Sequence, residues 1–275
     1  MSHSPHRFGV VALVLTGVML RCRCGPWGKD AQLIQFNLSP IAMIGPIGRA
    51  ALFVKDVALS PLPHLVAGMT GEESHFTDAG GTTSAAIGDP VWVAQTGTGP
   101  DMAASAADAR PILRRDGALS YLAFDGVDDH ISTALDAISL SAGATVGLLV
   151  RTTDTQAIVL ADRTDNNRYI GDIEAGAAIE LGRYGGTGGT TLVEGTVCSG
   201  TRDDFYTAVC TGSWTKIIVS GANLAGWRRF GISAHQSELF RFSGDVAAAF
   251  VLSGATSEIT AEADERLDTL KELAA

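Results

Sequence analysis

Three aspartates stand close together in the segment Asp125-Gly-Val-Asp128-Asp129. Carboxylate oxygens are hard ligands of the kind that Ca²⁺ collects in loops. Asp-Gly is also a turn signature, because the short Asp side chain accepts hydrogen bonds from nearby backbone N–H groups. The spacing therefore favours a structural turn at Asp125, Asp128 and Asp129, with a Ca²⁺ site as the alternative, and it predicts no other cofactor.

A glycan-hydrolysing site would need two carboxylates on one face of a strand, as in an E-x-D-x-E pattern. That pattern is absent, and no G-x-S-x-G nucleophile motif occurs. The nearest acidic groups are Glu72-Glu73, Asp203-Asp204, and Ile173-Glu174 beside Asp172. We interpret them as strand neighbours that point to opposite faces. The sequence therefore predicts a protein that is not an enzyme.

Aromatic side chains in loops are candidates for binding, since sugars and partner surfaces use Trp and Tyr platforms with a polar rim. Tyr184 adjoins a Gly-rich stretch, and Trp227 precedes two arginines. We expect Tyr184, Trp227 and Arg228 to form a ligand-binding surface. Packing of the two aromatic rings in the core is the alternative.

The elements that must position these residues are short strands. From Gly71 onward, segments rich in Val, Ile, Thr and aromatic residues recur between Gly, Asp and Asn clusters, among them ATVGLLVRT, FYTAVC, TKIIVSG and DVAAAFVLS. This spacing predicts an all-β sandwich or barrel. The chain ends in an amphipathic run to Leu273 that predicts a helix, with Thr256 or Ser257 as its N-cap.

The first seventy residues differ from the rest of the chain in charge and in the pattern of their residue types. The whole chain has 30 acidic and 20 basic side chains, a net charge of −10 that repels nucleic acid. Before Glu72 the balance is basic, and prolines interrupt the short apolar runs between Trp27 and Met69. We expect residues 1–70 to form an extended arm for attachment and oligomerisation. Its apolar segment Phe8–Leu20 either docks on another subunit or acts as a signal or anchor.

Cys198 and Cys210 flank a Gly/Asp-rich stretch. They would close a hairpin as a disulfide if the strands on either side paired, and free thiols are the alternative.

Three segments, FTDAGGTT (76–83), residues 88–113 and YLAFDGVDDHIST (121–133), stand in the order found in a known family. They resemble the laminin-G-like members of the concanavalin A-like lectin superfamily, in the version found in bacteriophage tail and other virion proteins. The C-terminal segment 242–275 resembles that family's final strand and closing helix. The resemblance covers roughly residues 76–275, and it implies an antiparallel jelly-roll sandwich over residues 71–275.

Together, the resemblance and the basic arm predict a non-catalytic virion protein, such as a tail fibre or spike, on the particle surface. We expect other virion proteins to bind residues 1–70, the sandwich to bind a host surface glycan, and the chain to form a homo-oligomer, with a trimer favoured. One alternative is a structural decoration or tail component without a ligand. Another is a secreted protein that binds or hydrolyses glycans.

Overall fold

A computed structural model describes residues 59, 62–165, 167–181, 188–235 and 240–274. The chain divides into two units, Met1–Lys55 and Asp56–Ala275, and every described residue belongs to the second. Predictions for the segment Phe8–Leu20 and for most of the expected arm lie outside the described residues.

The described residues form fifteen strands and two helices. The first eight strands are β1 (Leu65–Met69), β2 (Ser74–Phe76), β3 (Val93–Gln95), β4 (Met102–Ala103), β5 (Ile112–Asp116), β6 (Leu119–Asp125), β7 (Ile131–Thr133) and β8 (Ala142–Arg151). The others are β9 (Gln156–Ala161), β10 (Tyr169–Glu174), β11 (Thr190–Val193), β12 (Thr196–Val197), helix α1 (Arg202–Val209), β13 (Thr215–Asn223), β14 (Gly231–Ile232), β15 (Ser243–Leu252) and helix α2 (Ser257–Leu273).

These strands build two antiparallel sheets, which confirms the predicted all-β class. The first sheet has the order β12-β11-β13-β8-β15-β6-β5, and β1 also pairs with β15. The second sheet has the order β10-β9-β14-β7-β4-β3-β2. Because β1 is part of the first sheet, the sandwich begins before Gly71, where the sequence placed its boundary.

The main core lies between the two sheets. Along β8, Val146, Leu148 and Val150 belong to this core, whereas Leu149 belongs to a second apolar cluster on the other face of the first sheet. Successive side chains of a strand point to opposite faces, so a strand buried on both faces has a continuous apolar sequence. This double burial explains why β8 lacks the polar alternation of a half-exposed strand.

Helix α2 covers the outward face of the first sheet, in agreement with the predicted C-terminal helix. Its apolar side, which includes Leu267 and Leu270, packs in the second apolar cluster. The Thr256 side chain accepts a hydrogen bond from the Ile259 N–H and caps the helix. Of the helices in the described ranges, none is long and apolar enough to span a membrane.

Helix α1 replaces a predicted strand, FYTAVC. Thr201 and Asp204 form a capping box, in which each side chain accepts a hydrogen bond from the other residue's backbone N–H. Phe205 and Val209, four residues apart, are both buried and lie on one face of a helix. The strand prediction was wrong because β-forming residue types outweighed this short helical signal.

Candidate functional site

The three aspartates lie in the loop where the chain passes from the first sheet to the second, here called the aspartate loop (Asp125–Asp129). Asp125 Oδ1 accepts a hydrogen bond from the Val127 N–H at 2.8 Å, and Asp129 Oδ2 accepts one from the Asp125 N–H at 3.0 Å. Gly126 has a φ of 80°, which glycine adopts without strain. The carboxylates therefore build a tight turn, as the favoured prediction requires.

The same turn concentrates negative charge. One oxygen from each of the three carboxylates lies within 4.8 Å of the others. Burial, and then the charges of Asp125 and Asp128, raise the pKa of Asp129 to about 6. Carboxylate oxygens are ligands that suit Ca²⁺. One oxygen of Asp125 and one of Asp129, however, already accept backbone hydrogen bonds.

His130 connects the aspartate loop to the second sheet. Its Nδ1 lies 2.8 Å from the Asp128 carbonyl oxygen, and its Nε2 lies 2.8 Å from Ser105 Oγ and also contacts Arg163 Nη1. A carbonyl only accepts and a guanidinium only donates, so Nδ1 carries the proton and Nε2 accepts. Burial is the main cause that lowers the pKa of His130 to about 4, and nearby arginine charges act in the same direction. The imidazole is therefore neutral at neutral pH.

A row of mostly small side chains crosses the outward face of the second sheet. Directly paired residues in register link Val93, Ala103, Ser132, Gly231 and Ala161 across five strands. Residues next to them along the strands, such as Ile131 and Ile232, belong to the core between the sheets. Since side chains alternate, the row points away from that core.

Arg163 lies over this row. It follows β9, and β14 lies between β9 and β7, so its side chain must pass over β14 to contact His130. A Cβ atom at position 231 would lie 2.4 Å from the Ala234 Cβ and 3.1 Å from the Ser132 Cβ, which leaves space for no larger residue. Ala234 therefore packs directly over Gly231, and Ser132 and Ala161 beside it are buried.

Two further arginines lie near His130, and with Arg163 we call them the arginine cluster (Arg163, Arg229 and Arg241). Arg229 stands two residues before Gly231, and Arg241 Nη1 donates a hydrogen bond to the Ser233 carbonyl at 2.7 Å. Burial lowers the pKa of Arg163, and the charges of Arg241 and Arg229 lower it further. The three guanidinium groups are therefore close enough to repel one another.

Of the predicted ligand-binding residues, the two that the structure describes, Trp227 and Arg228, do not share a surface. Tyr184 lies outside the described residues. Trp227 is 3% exposed and belongs to the core between the sheets, so the alternative of core packing applies to it. Arg228 stays at the surface, where its Nε and Nη2 donate to the two carboxylate oxygens of Asp136 at 2.7 and 2.8 Å.

A second polar site, which the sequence interpretation missed, lies at β10. Asp172 and Glu174 are two residues apart, not adjacent, so they share one strand face. Arg202 of α1 binds both, with Nε 2.5 Å from Asp172 Oδ2 and Nη1 2.6 Å from Glu174 Oε2. Burial raises the pKa of Asp172 to about 6 despite this arginine. The D-x-E spacing within a strand was the signal that could have revealed the pair.

Asp172 also lines a cavity of about 280 Å³ between the edges of the two sheets. Tyr169, whose hydroxyl accepts from Arg202 Nη2 at 3.1 Å, lies on the same cavity. Since Arg202 holds both carboxylates, the pair is arranged as an ion-pair network rather than as two independent acid and base groups.

Cys198 and Cys210 are free thiols, so of the two alternatives that the sequence left open the free thiols apply. The stretch between them contains α1 rather than a hairpin, and Cys210 is the C-cap of that helix. Burial raises the pKa of the Cys210 thiol to about 12, which makes it unreactive at neutral pH.

No family model, no curated protein and no solved structure matches this chain. The resemblance to laminin-G-like domains therefore stays a prediction, and the function must be argued from the geometry of the sandwich.

Proposed function

We propose that this chain is a non-catalytic bacteriophage virion protein, part of a tail fibre, spike or similar appendage, whose sandwich attaches to a glycan on the host surface. We also propose that the sandwich is a laminin-G-like jelly roll. One observation supports the binding role: α2 and its apolar side cover the outward face of the first sheet, whereas three arginine charges gather around the buried His130 on the outward side of the second sheet.

The polar groups on the second sheet are of the kind that orient a ligand. Binding sites combine a mostly preformed surface with a few placed donors and acceptors. His130 lies between Ser105 and the Asp128 carbonyl, and it contacts Arg163. This network joins the arginine cluster to the aspartate loop, so both features lie on one connected part of the molecule.

The carboxylate pair at β10 supports a role in binding rather than hydrolysis. A retaining glycosidase needs one carboxylate as nucleophile and the other as acid, with a sugar between them. Here the Arg202 guanidinium bridges Asp172 and Glu174, and the Asp172 side chain is only 4% exposed. A sugar ring would have to displace a buried cation to reach either oxygen.

The basic N-terminal segment supports assembly with other virion proteins. Residues before Glu72 carry a positive balance, while the rest of the chain is acidic. A homo-oligomer, with a trimer favoured, would present several copies of one weak glycan site and raise the overall avidity. We also propose that the protein lies on the surface of the extracellular particle, where several copies can meet the host glycan.

A glycan array and whole bacterial cells test the proposal with the full chain. Saturable binding to a surface polysaccharide, with no release of reducing sugar over hours, is expected. Both assays are repeated with Ca²⁺ and with a chelator, because loss of binding on chelation would assign Ca²⁺ to the aspartate loop. If the full chain binds no glycan and no cell, the proposal of host attachment is wrong. The alternative, a structural decoration without a ligand, then replaces it.

A further inference from the structure

We infer that the cavity between the edges of the two sheets, here called the edge cavity, binds a small organic amine with a compact apolar body and a protonated amino group. This inference goes beyond the proposed attachment function and does not depend on it. The edge cavity lies beside β10, β11, β12 and α1. The apolar side chains that line it are those of Ile170, Leu181, Val197, Phe205, Ile217 and Val219.

The open space at this edge is the first observation. Protein interiors are close-packed and contain few voids larger than a water molecule, yet the edge cavity has a volume of about 280 Å³. Strand β10 is the last strand of the second sheet, and β11 and β12 are the last two of the first sheet. Helix α1 packs against β10 and places Phe205 in the core between the sheets. The walls of the cavity therefore come from both sheets and from α1.

The inner part of the edge cavity is apolar. Ile170, Phe205, Ile217 and Val219 line it and also belong to the core between the sheets. An apolar ligand group that packs against them is stabilised because apolar surface is removed from water. An apolar cavity of roughly 150 Å³ holds a benzene ring. The edge cavity therefore has space for a ring-sized group.

The mouth of the edge cavity is open to solvent and polar. Glu180, Thr190 and Ser199 line the cavity and are exposed. Val197, which also lines it, is 57% exposed. A ligand can therefore enter from solvent, with its apolar body in the inner part and a polar head group at the mouth.

The charge around the edge cavity selects the head group. Among the lining residues that the structure describes, the charged side chains are the carboxylates Asp172 and Glu180. Arg202 pairs with both Asp172 and Glu174, at 2.5 and 2.6 Å, so these four residues carry three carboxylates and one guanidinium group. A protonated amine is attracted to such a region, whereas a carboxylate or phosphate is repelled.

The enclosed shape favours a small molecule over a polymer. A cavity with walls on several sides buries most of the surface of a small ligand. A polysaccharide or an extended peptide would instead need a groove that is open at both ends. The edge cavity is therefore a separate site from the outward face of the second sheet, for which we propose host attachment.

The test measures binding of the full chain to benzylamine, benzyl alcohol and benzoate by ligand-observed NMR titration at neutral pH. The three probes share one ring and differ in the charge of the head group. Benzylamine is expected to bind with a dissociation constant on the order of 1 mM or tighter. Benzyl alcohol should bind more weakly, and benzoate should bind most weakly of the three.

Two variants of one residue assign the binding to the edge cavity. Cys198 lines the cavity and is half-buried, so Cys198→Phe places a ring in the space and should weaken benzylamine binding by about tenfold or more. Cys198→Ser changes the volume little and should keep the affinity within about twofold. The melting temperature of each variant shows whether the fold is retained.

A second pair of variants tests the charge at the mouth. Glu180→Gln should weaken benzylamine binding by about threefold, a modest effect because solvent screens an exposed carboxylate. The same variant should leave benzyl alcohol binding unchanged. Glu265→Gln makes the same charge change at an exposed position of α2 and should alter neither affinity.

A measurement on the wild-type chain remains decisive if Cys198→Phe unfolds. Benzylamine should slow the reaction of the Cys198 thiol with iodoacetamide, read by mass spectrometry, and benzoate at the same concentration should not. Absence of benzylamine binding overturns the inference, as does unchanged binding in a folded Cys198→Phe variant or, where that variant unfolds, absence of thiol protection. Benzyl alcohol or benzoate binding as tightly as benzylamine overturns the amine class.

Discussion

The outward faces of the two sheets differ in what covers them. On the first sheet, α2 packs its apolar side against β8, β13 and β15, and the partly buried Lys216 ammonium of β13 pairs with Asp264 and Asp268 of the helix at 2.8 and 2.6 Å. On the second sheet, the corresponding face has a row of mostly small residues, and the arginine cluster lies there beside His130. The first face is sealed by apolar packing and an ion pair with α2, whereas the second brings positive charges together near His130.

The largest expected effect comes from removing the cation at the β10 edge of the second sheet. At about pH 7.5, Arg202→Met should lower the free energy of unfolding by about 3–5 kcal/mol, because it leaves the buried Asp172 carboxylate without its ion partner. Folding already raises the pKa of Asp172 to about 6, and losing Arg202 raises it further. The stability that a raised pKa contributes is present at low pH and lost as pH rises, so the cost should shrink at about pH 5.

Urea unfolding at the two pH values measures this cost. Adding Asp172→Asn to the variant removes the stranded charge and should restore part of the stability. An equal loss at both pH values would show that Arg202 acts through packing and not through Asp172.

The next effect tests the covered face of the first sheet. Leu267 is fully buried under α2, so Leu267→Ala should cost about 2–4 kcal/mol through lost burial and the cavity that it leaves. Glu265→Ala, an exposed position on the same helix, should change stability by less than about 0.5 kcal/mol. Thermal and urea unfolding compare the two. Unimpaired stability in Leu267→Ala would mean that α2 does not seal this face.

A smaller effect, of opposite sign, is expected beside the second sheet. The pKa of Asp129 is raised to about 6, so its ionised form destabilises the fold at neutral pH, and this penalty disappears as pH falls below that value. Asp129→Asn keeps an acceptor for the Asp125 N–H and should raise stability by about 1 kcal/mol at about pH 7.5, after allowing for solvent screening. At about pH 4 the gain should vanish.

On the first sheet the same chemical change should have the opposite result. Asp245 accepts from Arg151 Nε at 2.8 Å, so Asp245→Asn weakens an ion pair and should lower the melting temperature. If both variants shift stability in the same direction, the proposed electrostatic contrast between the two regions is wrong.

The smallest effect is expected at the exposed Arg228–Asp136 pair. Both side chains are more than half exposed, and exposed pairs contribute little to stability because solvent screens the two charges. Arg228→Ala should therefore leave the melting temperature nearly unchanged. A large loss would show that Arg228 holds the loop that precedes β14, and binding assays on the same variant test the predicted ligand role of Arg228.

Sequence patterns predicted the features that depend on local signals. The Thr256 cap and the apolar periodicity predicted α2, and residue types predicted most strands. Helix α1 was missed because eight residues give little periodicity. The boundary at Gly71 was placed too late because β1 is short and follows a Pro-rich segment.

The arginine cluster could not be predicted in the same way. Ser105, His130, Arg163, Arg229 and Arg241 are separated by long stretches of chain, and only the pairing of β4, β7, β14 and β9 brings them together. No local pattern carries that information. The burial of Trp227 also depends on tertiary packing. The two arginines that follow it in the sequence indicated a surface loop instead.

Arginine footprinting tests the central claim, that the outward face of the second sheet is the one that binds. The full chain is treated with phenylglyoxal with and without a glycan found by the array, and modification of each arginine is read by mass spectrometry. We predict that the glycan slows modification of Arg229 and Arg241 several-fold and leaves Arg114 and Arg115 on β5 unchanged. Protection of Arg114 and Arg115 without protection of the arginine cluster would contradict the account.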